Sequence, residues 1–147
     1  MRRQMTGGCL CGSKRYVATV ADDDAYLCHC RMCQRWSGSV SIALKGMKKA
    51  DVRWDTPPDF FTSSPIARRG FCATCGTSLT FEFPDSETMD LTVASFDDPS
   101  RFRPRHNYAV ESWHTAWLDV RDLPAMRSED NPNVVERWMK ACGKLPD

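Results

Sequence analysis

Seven of the eight cysteines in this 147-residue chain fall into three tight clusters: Cys9–Leu10–Cys11, Cys28–His29–Cys30–Arg31–Met32–Cys33 and Cys72–Ala73–Thr74–Cys75. This constrains the fold more than any hydrophobic pattern, because sulfurs that share an ion must converge on one point. Seven is four plus three. Four thiolates close a structural zinc site, whereas three leave one coordination position open, and an open position is where zinc chemistry takes place.

The alternative use of clustered cysteines is a disulfide scaffold, which belongs to exported proteins. Met1 to Thr6 carries positive charge, but no apolar run follows it, so no secretory signal is read. Cytoplasmic residence with reduced cysteines is therefore expected, and reduced, closely spaced cysteines read as metal ligands. The net charge is +1, from 20 basic and 19 acidic residues. Such a balance gives no general reason to bind nucleic acid or an anionic membrane. No apolar run approaches the ~20 residues of a membrane-spanning helix.

The spacings explain how the sulfurs converge. Residues i and i+2 of an extended segment point the same way. Cys9 with Cys11, and Cys28 with Cys30, can thus each reach one ion, leaving Leu10 and His29 to face away. A C-x-x-C turn does the same for Cys30 with Cys33 and for Cys72 with Cys75. Gly12 and Gly76 directly follow two of these cysteines and permit sharp turns with positive φ. All-thiolate coordination selects zinc or iron–sulfur chemistry over magnesium or calcium. Two partitions remain open. Cys9, Cys11, Cys72 and Cys75 can form one site and Cys28, Cys30 and Cys33 the other, which is preferred because three near-contiguous ligands make a local site. Otherwise Cys30, Cys33, Cys72 and Cys75 form a zinc ribbon, with Cys9, Cys11 and Cys28 left over.

The rest of the chain reads as a single, mainly β domain. Strands are expected over 14–20, 25–27, 39–44, 52–54, 60–62, 67–71, 79–83 and 89–95, separated by Gly, Pro and Asp. One helical turn is expected over 31–36, ended by Gly38. Near the end, Asn131 caps a helix with Pro132 at its first position. Val134, Val135, Trp138 and Met139 share one face, and Gly143 stops it. Cys142 is a free thiol on that helix. Asp22-Asp23-Asp24 is a solvated loop and lacks the spaced ligands of a calcium loop.

The run Gly8-Cys9-Leu10-Cys11-Gly12, then Cys28-His29-Cys30-Arg31-Met32-Cys33 with Gly38, then Phe71-Cys72-Ala73-Thr74-Cys75-Gly76-Thr77-Ser78-Leu79, resembles the glutathione-dependent formaldehyde-activating enzyme family, grouped with centromere protein V. With the segment from Pro104 to Pro124 the resemblance covers residues 5–125, leaving 126–147 as a C-terminal helical extension. It implies a β-tent of folded antiparallel sheets with zinc-binding loops. It implies two zinc ions per chain: a structural one on Cys9, Cys11, Cys72 and Cys75, and a catalytic one on Cys28, Cys30 and Cys33. The activity implied is that of a carbon–sulfur lyase forming or cleaving S-hydroxymethylglutathione, with glutathione and an aldehyde as small-molecule partners.

That activity sets expectations for further residues. An open zinc position can hold a thiolate at neutral pH or polarise a carbonyl. Three thiolates weaken Lewis acidity, which favours thiol binding. Glutathione carries two carboxylates, so the pocket should present cations. Arg35 beside the three-cysteine cluster and Arg69 before Cys72 are the substrate-binding candidates, with Arg31 and Arg68 near them. Trp36, three residues after Cys33, is expected to wall the pocket. His106 aligns with a histidine of the family and is expected to line it. His29 is read as a core or supporting histidine, and His114 as exposed. The competing reading is a zinc-stabilised interaction module without catalysis. A third, an iron electron carrier of the rubredoxin kind, needs a closed four-thiolate iron site.

Overall fold

A computed structural model describes residues 2–146. The chain divides into two compact units, Met1–His114 and Thr115–Asp147. Among the described residues the first carries ten strands: β1 Arg3–Gly8, β2 Arg15–Val20, β3 Asp24–Cys28, β4 Ile42–Lys48, β5 Val52–Trp54, β6 Asp59–Thr62, β7 Arg68–Phe71, β8 Ser78–Glu82, β9 Thr88–Thr92 and β10 Arg103–Tyr108. Its one α-helix, α1 Arg31–Ser37, follows β3 directly and ends at Gly38.

The strands form two sheets. The smaller has the order β1-β2-β5, all antiparallel. The larger has the order β10-β3-β4-β9-β8-β7-β6. It is antiparallel except where β10 lies parallel to β3, so the larger sheet is mixed rather than wholly antiparallel. The mainly β architecture is the one expected.

Alternation along the strands decides what each face does. In β2, Tyr16, Ala18 and Val20 are buried and their neighbours only partly so. They join Met5 of β1, Ala25 of β3, Met89 and Leu91 of β9, Val93, Phe96 and Phe102 in the main core, which thus draws on both sheets. Full burial of a Leu91-sized side chain contributes roughly 2 kcal/mol. Tyr16 is admitted because its hydroxyl bonds Ser95 Oγ at 2.8 Å. The intervening residues of the large sheet turn the other way. Tyr26 of β3 and Leu44 of β4 face each other across the ladder and pack with Cys28 and Cys33 in a separate cluster. One face of the large sheet therefore serves the core, and the other carries a site.

The second unit contains helix α2, Pro132–Cys142. Its ends match the expectation: the Asn131 side chain accepts from Val134 N–H, Pro132 opens the helix, and Gly143 closes it in a left-handed conformation. Cys142 ends the helix and is exposed.

Candidate metal centres and the adjoining cavity

Two turns build the first centre. One follows β1 and carries Cys9 and Cys11; the other joins β7 to β8 and carries Cys72 and Cys75. They share a hydrogen-bond plan. Cys9 N–H donates to Lys14 O at 3.0 Å, and Cys72 N–H to Thr77 O at 3.0 Å. Gly12 N–H returns to Cys9 O, and Gly76 N–H to Cys72 O. Gly12 and Gly76 lie at φ +80° and +79°, which a side chain would strain. The four sulfurs lie within 4.8 Å of one another. Cys9 and Cys11 sulfurs are 3.5 Å apart, and those of Cys11 and Cys72 3.7 Å. A tetrahedral zinc with bonds of about 2.3 Å needs sulfurs about 3.8 Å apart, so this donor set fits the ion.

Polar groups aim at these sulfurs. Ser13 Oγ is 3.2 Å from Cys11 Sγ and 3.4 Å from Cys72 Sγ. Thr77 Oγ1 is 3.2 Å from Cys75 Sγ and also accepts from Leu10 N–H at 3.0 Å. The Thr77 hydroxyl, then the backbone N–H groups of Cys11 and Thr77, hold the Cys75 thiol down to about 5. Burial works to raise Cys9, but the Lys14 N–H and Ser13 hydroxyl bring it down to about 7. Both sulfurs are thus poised as thiolates near neutral pH, the form that binds metal. Neither Ser13 nor Thr77 was singled out from the sequence. The signal was there: Cys11-Gly12-Ser13 and Cys75-Gly76-Thr77 are the same Cys-Gly-hydroxyl triplet twice.

The second centre is local. Cys28 ends β3, Cys30 caps α1 with its sulfur accepting Cys33 N–H at 3.2 Å, and Cys33 sits inside the first turn. The three sulfurs lie within 4.8 Å of one another, and no fourth histidine, cysteine, aspartate or glutamate ligand atom joins them among the described residues. The partition of the seven cysteines in space is four plus three. Crowded sulfurs resist joint ionisation. Cys28 is held below the usual thiol range, first by a hydrogen bond from Cys33, and Cys33 is pushed up by that donation and by burial. A dication among them removes this conflict, so the donor set fits zinc with one position open.

Arg69 is the other determinant. It is only 2% exposed. Its Nη1 donates to Cys33 Sγ at 3.3 Å. Its guanidinium carbon lies 4.9 Å from the Trp36 ring and 4.9 Å from the Phe81 ring, one on β8 directly opposite Arg69 and the other on α1. Three thiolates around a dication carry a net charge of −1, and a buried guanidinium offsets that charge.

The remaining sequence candidates fall in different places. Trp36 is half-buried and does not itself wall the cavity as expected; its ring lies under the Arg69 guanidinium, behind the lining. Arg35 is exposed on α1 and does not line the cavity beside the three sulfurs. His106 is exposed on β10 and stacks on Tyr26, centroids 5.0 Å apart and rings 6° from parallel. Tyr26 itself lines the cavity. His29 is fully buried and faces away, with Nε2 2.9 Å from Asn107 Oδ1. Gln34, unremarked in the sequence, bonds His29 O at 2.7 Å and Ser112 O at 3.0 Å, tying α1 to the segment after β10. The cavity has a volume of about 220 Å³ and is floored by Cys28, Cys30, Cys33, Leu44 and Arg69.

The chain is 31% identical over 81 residues to a Schizosaccharomyces pombe protein called an uncharacterized lyase, a match covering 55% of this chain and 59% of that relative. A crystal structure of a Rhodobacter sphaeroides protein is 23% identical, with a TM-score of 0.52, covering 70% of this chain and 99% of that one, and shows the same fold. The family model described as glutathione-dependent formaldehyde-activating enzyme matches residues 4–114, the span that contains both cysteine centres. The chain belongs to the glutathione-dependent formaldehyde-activating enzyme family.

Proposed function

We propose that the chain is a zinc-dependent carbon–sulfur lyase that makes or breaks the bond between a thiol sulfur and an aldehyde carbon, S-hydroxymethylglutathione being the adduct the family name suggests. The observation that carries this reading is the three-cysteine centre, lining a cavity and without a fourth protein ligand among the described residues. Cys9, Cys11, Cys72 and Cys75 would hold a structural zinc, and Cys28, Cys30 and Cys33 a catalytic one. Zinc in such a site keeps a thiolate ionised at neutral pH and can polarise a carbonyl oxygen.

The chain's own residues do the rest. The Cys28, Cys30 and Cys33 sulfurs are set by the end of β3 and the start of α1, and all three residues line the cavity, so an ion they held would sit beside it. Arg69 fixes Cys33 and offsets the charge of the thiolates. Gln34 and Asn107 hold the His29 segment, which keeps the spacing between Cys28 and Cys30. In the forward direction the sulfur–carbon bond forms as the carbonyl double bond becomes a carbon–oxygen single bond. The proton lost by the thiol ends on that oxygen. Cleavage is the reverse.

The test is metal content and exchange chemistry on protein purified anaerobically with reductant. Two zinc ions per chain are expected, falling to one in Cys33→Ser. Zinc-edge spectroscopy should show a new sulfur ligand when a thiol saturates the wild-type protein. Carbon-13 exchange between aldehyde and hemithioacetal should be accelerated by the wild type alone. One zinc, unaffected by Cys33→Ser, would instead favour a metal-stabilised interaction module.

A further inference from the structure

We infer that the three-cysteine cavity takes a sulfur compound whose groups next to the sulfur are apolar and uncharged, in preference to glutathione; this rests on the lyase reading above and narrows its substrate class. The first ground is charge. Among the described residues lining the cavity, Arg69 is the sole cation and Glu111 the sole carboxylate. Arg69 is already committed: it is stacked between Trp36 and Phe81 and donates to Cys33. Its charge offsets the thiolates. Arg35 and His106 lie outside the lining, and Arg68 and Arg105 are paired with Glu82 and Asp24. Two substrate carboxylates would therefore find no free cation inside, and Glu111 would repel them.

The second ground is the wall. Met32 from α1, Ile66 from the turn between β6 and β7, Phe83 just after β8 and Tyr108 at the end of β10 converge on this one cavity. All four are exposed, Ile66 by 68% and Phe83 by 42%. Large apolar side chains from four separate segments, gathered exposed around one concavity, mark a binding surface for an apolar group. The third ground is size. About 220 Å³ is below the roughly 300–1,000 Å³ of ordinary ligand clefts, and suits a small alkyl or aryl body better than a tripeptide.

The experiment is anaerobic titration calorimetry of the zinc-loaded full chain with phenylmethanethiol and with glutathione. Phenylmethanethiol is expected to bind at least tenfold tighter. In Ile66→Lys, which removes an exposed apolar wall and adds a cation, the preference should shrink at least threefold, with an unchanged circular dichroism spectrum. Glutathione binding as tightly or tighter would overturn the inference while leaving the lyase reading in place. A preference that Ile66→Lys leaves unchanged would overturn it too. Heat from neither thiol, with two zinc ions retained, would overturn the open-site reading, and this inference with it.

Discussion

The two cysteine centres sit in one compact unit and are built on opposite plans. The four-sulfur centre joins two distant turns, with Cys11 and Cys72 separated by 61 residues. Its sulfurs are served by neutral donors: backbone N–H groups, Ser13 and Thr77. The three-sulfur centre spans a single strand–helix junction from Cys28 to Cys33. It is served by a full charge, that of Arg69. The lesson is that a closed centre acts as a cross-link, which small dipoles can support. An open one leaves charge beside a cavity, and the fold must bring a counter-charge to it.

The largest test of this contrast compares Cys72→Ser with Cys33→Ser. By the loop-entropy reasoning applied to disulfides, tying residues about 60 apart is worth about 4 kcal/mol, and tying residues about 5 apart about 2 kcal/mol. Cys72 is also fully buried. Cys72→Ser is expected to lower the thermal midpoint by more than about 10 °C, and Cys33→Ser by about half as much while losing one zinc and catalysis. Equal losses of stability in calorimetric scans would break the contrast.

Next in size is Arg69→Gln. It leaves the Trp36 and Phe81 rings in place but removes the counter-charge. Zinc affinity at the three-sulfur centre should fall about 10–100-fold in chelator competition, with the four-sulfur zinc retained. Arg69→Lys, which keeps the charge but not the planar stack, should recover part of it. If both zinc ions weakened together, the arginine would be supporting the fold rather than one centre.

Smaller again is Ser13→Ala. One hydroxyl lost beside the Cys11 and Cys72 sulfurs is expected to cost about 1 kcal/mol, read as a tenfold or smaller change in zinc retention at the four-sulfur centre only. The smallest is Cys142→Ser. This exposed thiol lies outside both clusters, so both zinc ions should remain and stability should shift by less than about 0.5 kcal/mol. Loss of a zinc in this variant would mean that the four-plus-three partition is incomplete.

How far such sites are legible depends on whether the cause is local. Spacing within each cluster is local, so the three clusters and the turns at Gly12 and Gly76 could be anticipated. The four-plus-three partition instead joins distant turns; spacing leaves two partitions open, and the preference rests on the near-contiguity of Cys28, Cys30 and Cys33 and on the family resemblance. The caps of α2 are local as well, and they are where Asn131 and Gly143 suggested. The environment of Arg69 is not local. In sequence Arg68 and Arg69 are a matched pair. On β7 the alternation parts them: Arg68 turns to Glu82 at 2.7 Å, and Arg69 turns inward to Cys33. Which of two adjacent arginines is buried depends on strand register, and register is set by pairing with a strand not yet placed. His29, Gln34 and Asn107 are linked for the same non-local reason. Two strands also escaped notice. β1 ends in two glycines and has no β-branched residue but Thr6, and β10 holds a proline and two arginines.

The composition that hid β10 has a consequence of its own. β10 is the terminal strand of the large sheet, bonded to β3 on one side and exposed along its whole length. A bare strand edge is a template on which other chains can grow. Here Pro104 offers no N–H, the ladder slips between Pro104 and His106, and Arg103 and Arg105 place positive charge along the rim. Each feature discourages edge-to-edge pairing. The strand beside the open centre is therefore protected against becoming the seed of an aggregate, and the weakness of its β signature is the form that protection takes.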